Sequence, residues 1–140
     1  MATGNSSRQL YPMELCATKG LVCVPGSFQV NSTSDPDNAR GDGFTVTYSA
    51  VGEYLITLSE KYPMLVSASV LLQDTDADND LDLACVIEDY DSSAGTIIVR
   101  VAQDDHLDAS SAHNAADIDN LRVNFVLYFQ KYTALSVTHA

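Results

Sequence analysis

Basic residues are scarce in this chain of 140 residues. Seven Lys and Arg stand against 19 Asp and Glu, giving a formal charge of −12. A surface so balanced repels nucleic acid and anionic lipid, and it favours a basic protein surface as partner. Tryptophan is absent. Long apolar runs are missing too; none approaches the ~18 residues that would span a bilayer. The opening stretch "MATGNSSRQLYPMEL" has no basic cluster and no apolar core, so no signal peptide is expected. The sequons at Asn5 and Asn31 carry no weight without secretion. Catalytic signatures are also lacking: there is no GxSxG, no HExxH and no Gly-rich phosphate loop. The expectation is a protein that is not an enzyme and needs no cofactor.

Cysteine is sparse, and Cys16, Cys23 and Cys85 fit no metal spacing such as CxxC. A two-residue hairpin loop at Lys19-Gly20 places Cys16 opposite Cys23. A bulge at Gly20 slips the register and sets Cys16 against Val22. The odd total and the missing signal favour reduced thiols.

What is present is a β pattern. In "FTVTYSAVGEYLITL", Phe44, Val46 and Tyr48 share a face, the chain turns through Ala50-Val51-Gly52, and Tyr54, Ile56 and Leu58 alternate again. "LDLACVIE" places Leu81, Leu83, Cys85 and Ile87 on one side, and "GTIIVRVAQ" follows Gly95. In "LRVNFVLYFQKY", Leu121, Val123, Phe125, Leu127 and Phe129 all fall on one face. β-branched and aromatic residues dominate these runs. Between them, residues 31–44 read as a long surface loop. Residues 103–120 read as a polar loop whose Ala-rich centre allows one helical turn from near Asp108 or Ser110. Six to eight short strands without a long helix predict a single antiparallel β-sandwich, with a jelly roll as one such arrangement. Residues 1–12 read as a flexible arm, 13–131 as the sandwich and 132–140 as a tail.

Four features are candidate sites. Aspartate recurs at every second position from Asp74 to Asp82. Asp74, Asp76 and Asp78, with Asp80 beside them, are the residues that would hold a calcium ion. An EF-hand loop also needs a bidentate Glu at position 12 and flanking helices. Here position 12 is Cys85 and the flanks are strand-like, so the stretch reads as a solvated hairpin tip with no metal. The tripeptide Arg40-Gly41-Asp42 reads as turn chemistry. His106 and His113, with Asp104, Asp105, Asp108 and Asp117, lack the tighter spacing of zinc ligands; His139 lies at the end of the tail. The fourth feature is an apolar excess on strand faces that a lone sandwich would turn to water. Val126 and Tyr128 point away from the five-residue core face. In "MLVSASVLLQ", Met64, Val66, Ala68, Val70 and Leu72 lie on one side, and Leu65, Ser67, Ser69 and Leu71 on the other. Loops or a second subunit would cover the excess. Leu65, Leu71, Val126 and Tyr128 are accordingly the candidate oligomer-interface residues.

These segments taken together resemble a known group. "VGEYLITLSEKYPMLVSASVLLQ", an acidic tip, "GTIIVRV" and "DIDNLRVNFVLYF" are similar to small β-rich structural proteins of tailed bacteriophages, the capsid cement or decoration proteins. The likeness spans about Phe44 to Phe129, and its motifs mark strands and turns rather than a reaction. It implies a homo-oligomer, commonly a trimer, on the outer capsid surface of a virion, made in the bacterial cytoplasm. The implied partner is the major capsid protein, with no nucleic acid or membrane contact and no catalytic residue. The acidic surface, the polar arm and the two-sided apolar strands agree with that expectation. The alternatives are a tail-fibre or receptor-binding module that holds a glycan with calcium, and an enzyme whose facing carboxylates carry no motif.

Overall fold

The apolar alternation becomes nine strands in the computed structural model, which is described for residues 20–31, 33–75, 83–104, 113–115 and 121–131. They are β1 (Leu21–Asn31), β2 (Ser34–Arg40), β3 (Phe44–Ala50), β4 (Glu53–Leu58), β5 (Met64–Asp74), β6 (Leu83–Ile87), β7 (Thr96–Asp104), β8 (His113–Ala115) and β9 (Leu121–Gln130). No helix occurs among the described residues. One sheet runs β2-β1-β9-β5 and the other β3-β4-β7-β6, with every pairing antiparallel. β8 pairs with β7 beyond the point where β4 begins. The two layers bury one core between them, as a β-sandwich does.

Two segments differ from their sequence reading. β2 lies inside the stretch expected to be a surface loop. Its seven residues include Pro36, two Asp and Asn38, none of them good strand formers. It forms because β1 offers an open edge, and its pairing is irregular, with register shifts on both sides of Gln29. β8 occupies part of the stretch where a helical turn was expected; pairing with β7 overrode the local helix preference there. The expected arm at 1–12 and tail at 132–140 lie outside the described residues, as does Cys16; Cys23 is a free thiol.

The core follows the alternation closely. Leu121, Val123, Phe125, Leu127 and Phe129 of β9 are all buried, as are Tyr54, Ile56 and Leu58 of β4. Ile97, Val99 and Val101 of β7 and Val24, Phe28 and Val30 of β1 complete the cluster. Each such side chain contributes roughly 1.5–3 kcal/mol on burial. Rings organise the two ends of this cluster. Phe28 contacts Tyr54 and Phe125 at centroid distances of 5.5 and 6.3 Å, and Phe44 meets Phe125 edge-on at 5.0 Å. At the other end Phe129 is stacked by Tyr62 at 4.9 Å and met edge-on by Tyr90 at 5.0 Å. The Tyr62 backbone N–H donates to the Tyr90 hydroxyl at 2.9 Å, which fixes the Tyr90 ring against the Tyr62 backbone.

Turn chemistry sets how the strands are joined. The β3–β4 hairpin closes through Val51-Gly52, with φ of +67° at Gly52, as the sequence suggested. Between β6 and β7 the Asp91 carboxylate accepts from the Ser93 N–H, the Ser93 hydroxyl and the Ala94 N–H. Those bonds hold the Asp91 carboxyl below the usual carboxylate range.

Candidate interaction surface

The two lateral sides of the sandwich are built differently. On one side β2 crosses to β3 through Gly41–Gly43. Gly41 has φ of +117°, and a Cβ there would sit 2.6 Å from the Pro25 carbonyl oxygen. The Arg40-Gly41-Asp42 tripeptide is thus explained by a corner that only glycine can make. β2 carries Asp35, Pro36, Asp37 and Arg40, and the Asp35 carboxylate accepts the Tyr48 N–H of β3 at 2.8 Å. Proline, charge and irregular pairing are the devices that keep a sheet edge from joining another strand.

The opposite side has no proline in its edge strands, no charge before Asp74 and a single irregularity, between Leu65 and Ser67. β5 ends one sheet, β6 ends the other, and the two strands lie against each other across the layers. From Met64 to Gln73 there is no charged residue, nor is there one from Leu83 to Ile87. Exposed apolar bulk gathers here. Leu71 is 72% exposed, Met64 and Val66 are each 50% exposed, and Val86 of β6 is 56% exposed. Of the large hydrophobic residues exposed on the described surface, only Val51 lies elsewhere.

The four sequence candidates divide. Leu71 lies on the outer face of its sheet, in register with Asn124, while Val126 pairs with Pro25 and Ser69, and Tyr128 with Cys23 and Ser67. Leu71, Val126 and Tyr128 therefore share one face, Leu71 exposed and the other two half-buried. Leu65 does not join them. The register shifts between Leu65 and Ser67, so Val66 is an extra residue and Leu65 turns inward beside Phe129. Strict alternation had placed Leu65 with Leu71 and Met64 with Val70; the bulge reverses both assignments. Met64, Val66 and Val86 were missed as exposed apolar residues. The uncharged run that contains the first two is the signal that finds them.

The polar end of the same face holds a buried cation. Arg122 of β9 is 7% exposed and aligned between Gln29 and Gln73. Its guanidinium donates to the Ser27 hydroxyl at 2.9 Å and the Asn38 carbonyl at 3.2 Å, tying β9 to β1 and β2. No carboxylate of the described residues lies within ion-pair distance of it. On the other sheet Arg100 bridges Glu53 and Glu88. That trio is partly exposed and contributes little, since water screens it.

Of the acidic stretch, only Asp74 and Thr75 are described, and the side chain of Asp74 is not. Asp76, Asp78 and Asp80 lie outside the described residues, as do His106 and His139, while His113 is placed only by its backbone in β8. Among the described residues no group of His, Cys, Asp and Glu could hold a metal ion. A cleft of about 210 Å³ opens between the start of β5 and the β6–β7 connection, lined by Pro63, Met64, Leu65, Asp89, Tyr90 and Ser92. Ligand pockets usually exceed ~300 Å³, and Asp89 is its one carboxylate, so no facing pair is formed there. No helix among the described residues is long and apolar enough to cross a membrane.

Burial pushes the Cys85 thiol up to about 11. It also raises the Tyr62 phenol, with Glu60 adding to the effect. Both groups are neutral when protonated, so their contribution to stability is present below the unfolded values. It is lost as pH rises through the folded ones. The protein is therefore expected to lose stability above about pH 9, between the ordinary thiol value and the raised one. An unfolding series from pH 7 to pH 11 measures this, and a flat profile contradicts it. At pH 8 the buried Cys85 thiol stays protonated, so iodoacetamide should alkylate it far more slowly in the folded chain than in urea.

No protein family, no curated protein and no solved structure matches the chain. The class defined by the fold is an antiparallel β-sandwich, and its distinguishing surface is one uncharged, apolar edge on an otherwise acidic molecule.

Proposed function

We propose that this chain is a non-enzymatic structural protein of the capsid-decoration kind, acting at the outer shell surface of a tailed bacteriophage. The observation that carries the reading is the division of the surface. Exposed apolar bulk is concentrated on one uncharged edge, while the formal charge of the whole is −12. An acidic exterior suits the outside of a particle that encloses nucleic acid and suits a basic patch on the major capsid protein. The sequence resemblance to cement proteins supports the same reading. A protein that binds only the assembled shell stabilises it by mass action, by ~2.7 kcal/mol at a free concentration a hundred times the dissociation constant. Copies joined to one another engage several capsomers at once, which raises avidity without new contacts.

The test is co-sedimentation of the full chain with shells stripped of their own decoration protein, at low and at high salt. Binding that weakens as salt rises is expected, because the acidic face is screened within ~3 Å at 1 M ionic strength. Failure to bind at low salt overturns the reading. In that case a receptor-binding module is the reading to pursue, and a calcium-dependent rise in melting temperature would mark it.

A further inference from the structure

We propose that the β5 edge is a homodimer surface, on which a second copy of this chain adds its own β5 antiparallel across a two-fold axis near Ser69. The pairing joins β2-β1-β9-β5 of one copy to the same sheet of the other. It does not depend on what the protein decorates, and it replaces the trimer that the resemblance implies.

The edge is open. β5 is the last strand of its sheet, bonded on one side to β9 and on the other to no strand among the described residues. From Ser67 to Asp74 its register is unbroken, so its free N–H and C=O groups form a straight template. Its single irregularity lies at Val66, outside that run. The contrast with β2 is informative: β2 has proline, charges and two register shifts, whereas β5 has no proline and carries no charge before its last residue, Asp74. An edge left without such protection is an edge that is used or is an aggregation hazard.

Charge selects a second copy as the occupant. Two molecules of −12 repel wherever their acidic faces meet. Met64–Gln73 is an uncharged stretch where like can approach like. A basic partner gains nothing there and is drawn to the acidic faces instead. Side-chain size also fits self-pairing. Ser67 and Ser69 are small, and Leu71 is the most exposed large apolar residue among the described ones. Antiparallel pairing about Ser69 lays Leu71 of each copy over Ser67 of the other. An isologous contact of this kind closes on itself and stops at two copies.

Sedimentation of the full chain across the micromolar range is the first measurement, with twice the monomer mass expected. A monomeric or a trimeric mass overturns the proposal. Leu71→Lys, at a position already mostly in water, should fold normally and sediment as a monomer. Val51→Lys, also exposed but away from this edge, should remain dimeric. If Leu71→Lys stays dimeric, the surface is wrong. Position is tested separately with Ser69→Cys. Directly opposed residues have Cβ atoms ~4.5–5.5 Å apart, a spacing that small backbone adjustment lets a disulfide close. Oxidation should give a cross-linked dimer that the parent chain and a Val51→Cys control do not give. Absence of that cross-link in a dimeric Ser69→Cys protein overturns the two-fold at Ser69. None of these readouts involves a shell, so they fail or succeed apart from the co-sedimentation experiment.

Discussion

Replacing Phe129 with alanine is expected to lower stability by ~3–5 kcal/mol, the usual range for a large ring lost from a core. Phe129 is fully buried near the end of β9, in register with Val22 of β1 and Leu65 of β5. Its ring is held between Tyr62 and Tyr90. The Tyr90 ring is kept from collapsing into the space by its hydroxyl, which accepts the Tyr62 backbone N–H, and the two tyrosines sit on different connections. A cavity remains, and its surfaces lose their contacts on one side. Marginal stability of ~5–15 kcal/mol makes this a large fraction of the total. Chemical denaturation should show the midpoint falling with the slope unchanged. A loss under ~1 kcal/mol would mean that the site relaxes and that the ring pair does not hold it open.

The second large effect is expected at Gly26, through excess rather than loss of volume. Gly26 pairs with Phe125, and a Cβ there would lie 2.5 Å from the Phe44 ring and 2.6 Å from the Phe125 ring. Those two rings meet edge-on at 5.0 Å, and Phe125 is buried. Alanine therefore cannot be admitted unless both rings move. Overpacking of this kind costs ~1–3 kcal/mol. Gly43→Ala is the control. Its φ of +88° is strained for alanine, yet nothing lies within 4 Å of its Cβ. Its loss should be that of backbone strain alone. A loss at Gly26 well below that at Gly43 would show that the rings at Gly26 yield freely, since Gly26 has no positive φ to strain. Phe44→Leu in the Gly26→Ala background should recover part of the loss, since the smaller side chain vacates one of the two contacts.

How far each feature was legible in the sequence depends on the range of the interaction that makes it. The five apolar residues of β9 and the three of β4 could be read directly, because period two is a local property of an extended chain. The β3–β4 turn was legible for the same reason: Gly52 supplies a positive φ within two residues of the strands it joins. The absence of helix among the described residues follows from the same patterning. The candidate interaction surface was half legible. Leu71, Val126 and Tyr128 were placed on one face by alternation from β9 and from the end of β5.

Leu65 was misplaced because a bulge is decided between strands. Val66 becomes an extra residue only when β5 is aligned to β9, and nothing within "MLVSASVLLQ" marks it. β2 was read as a loop because its composition is that of a loop; the open edge of β1, the strand just before it, makes it a strand. Gly26 carries no turn signal, and its reason is the rings of Phe44 and Phe125, far along the chain. The same holds for the contrast between the two sides of the sandwich. Sequence alone determined that the run from Met64 to Gln73 is uncharged and that β2 is rich in proline and charge. Only the tertiary structure decided that both are sheet edges, because a strand is an edge by virtue of which neighbours it lacks, and those neighbours are chosen by long-range pairing.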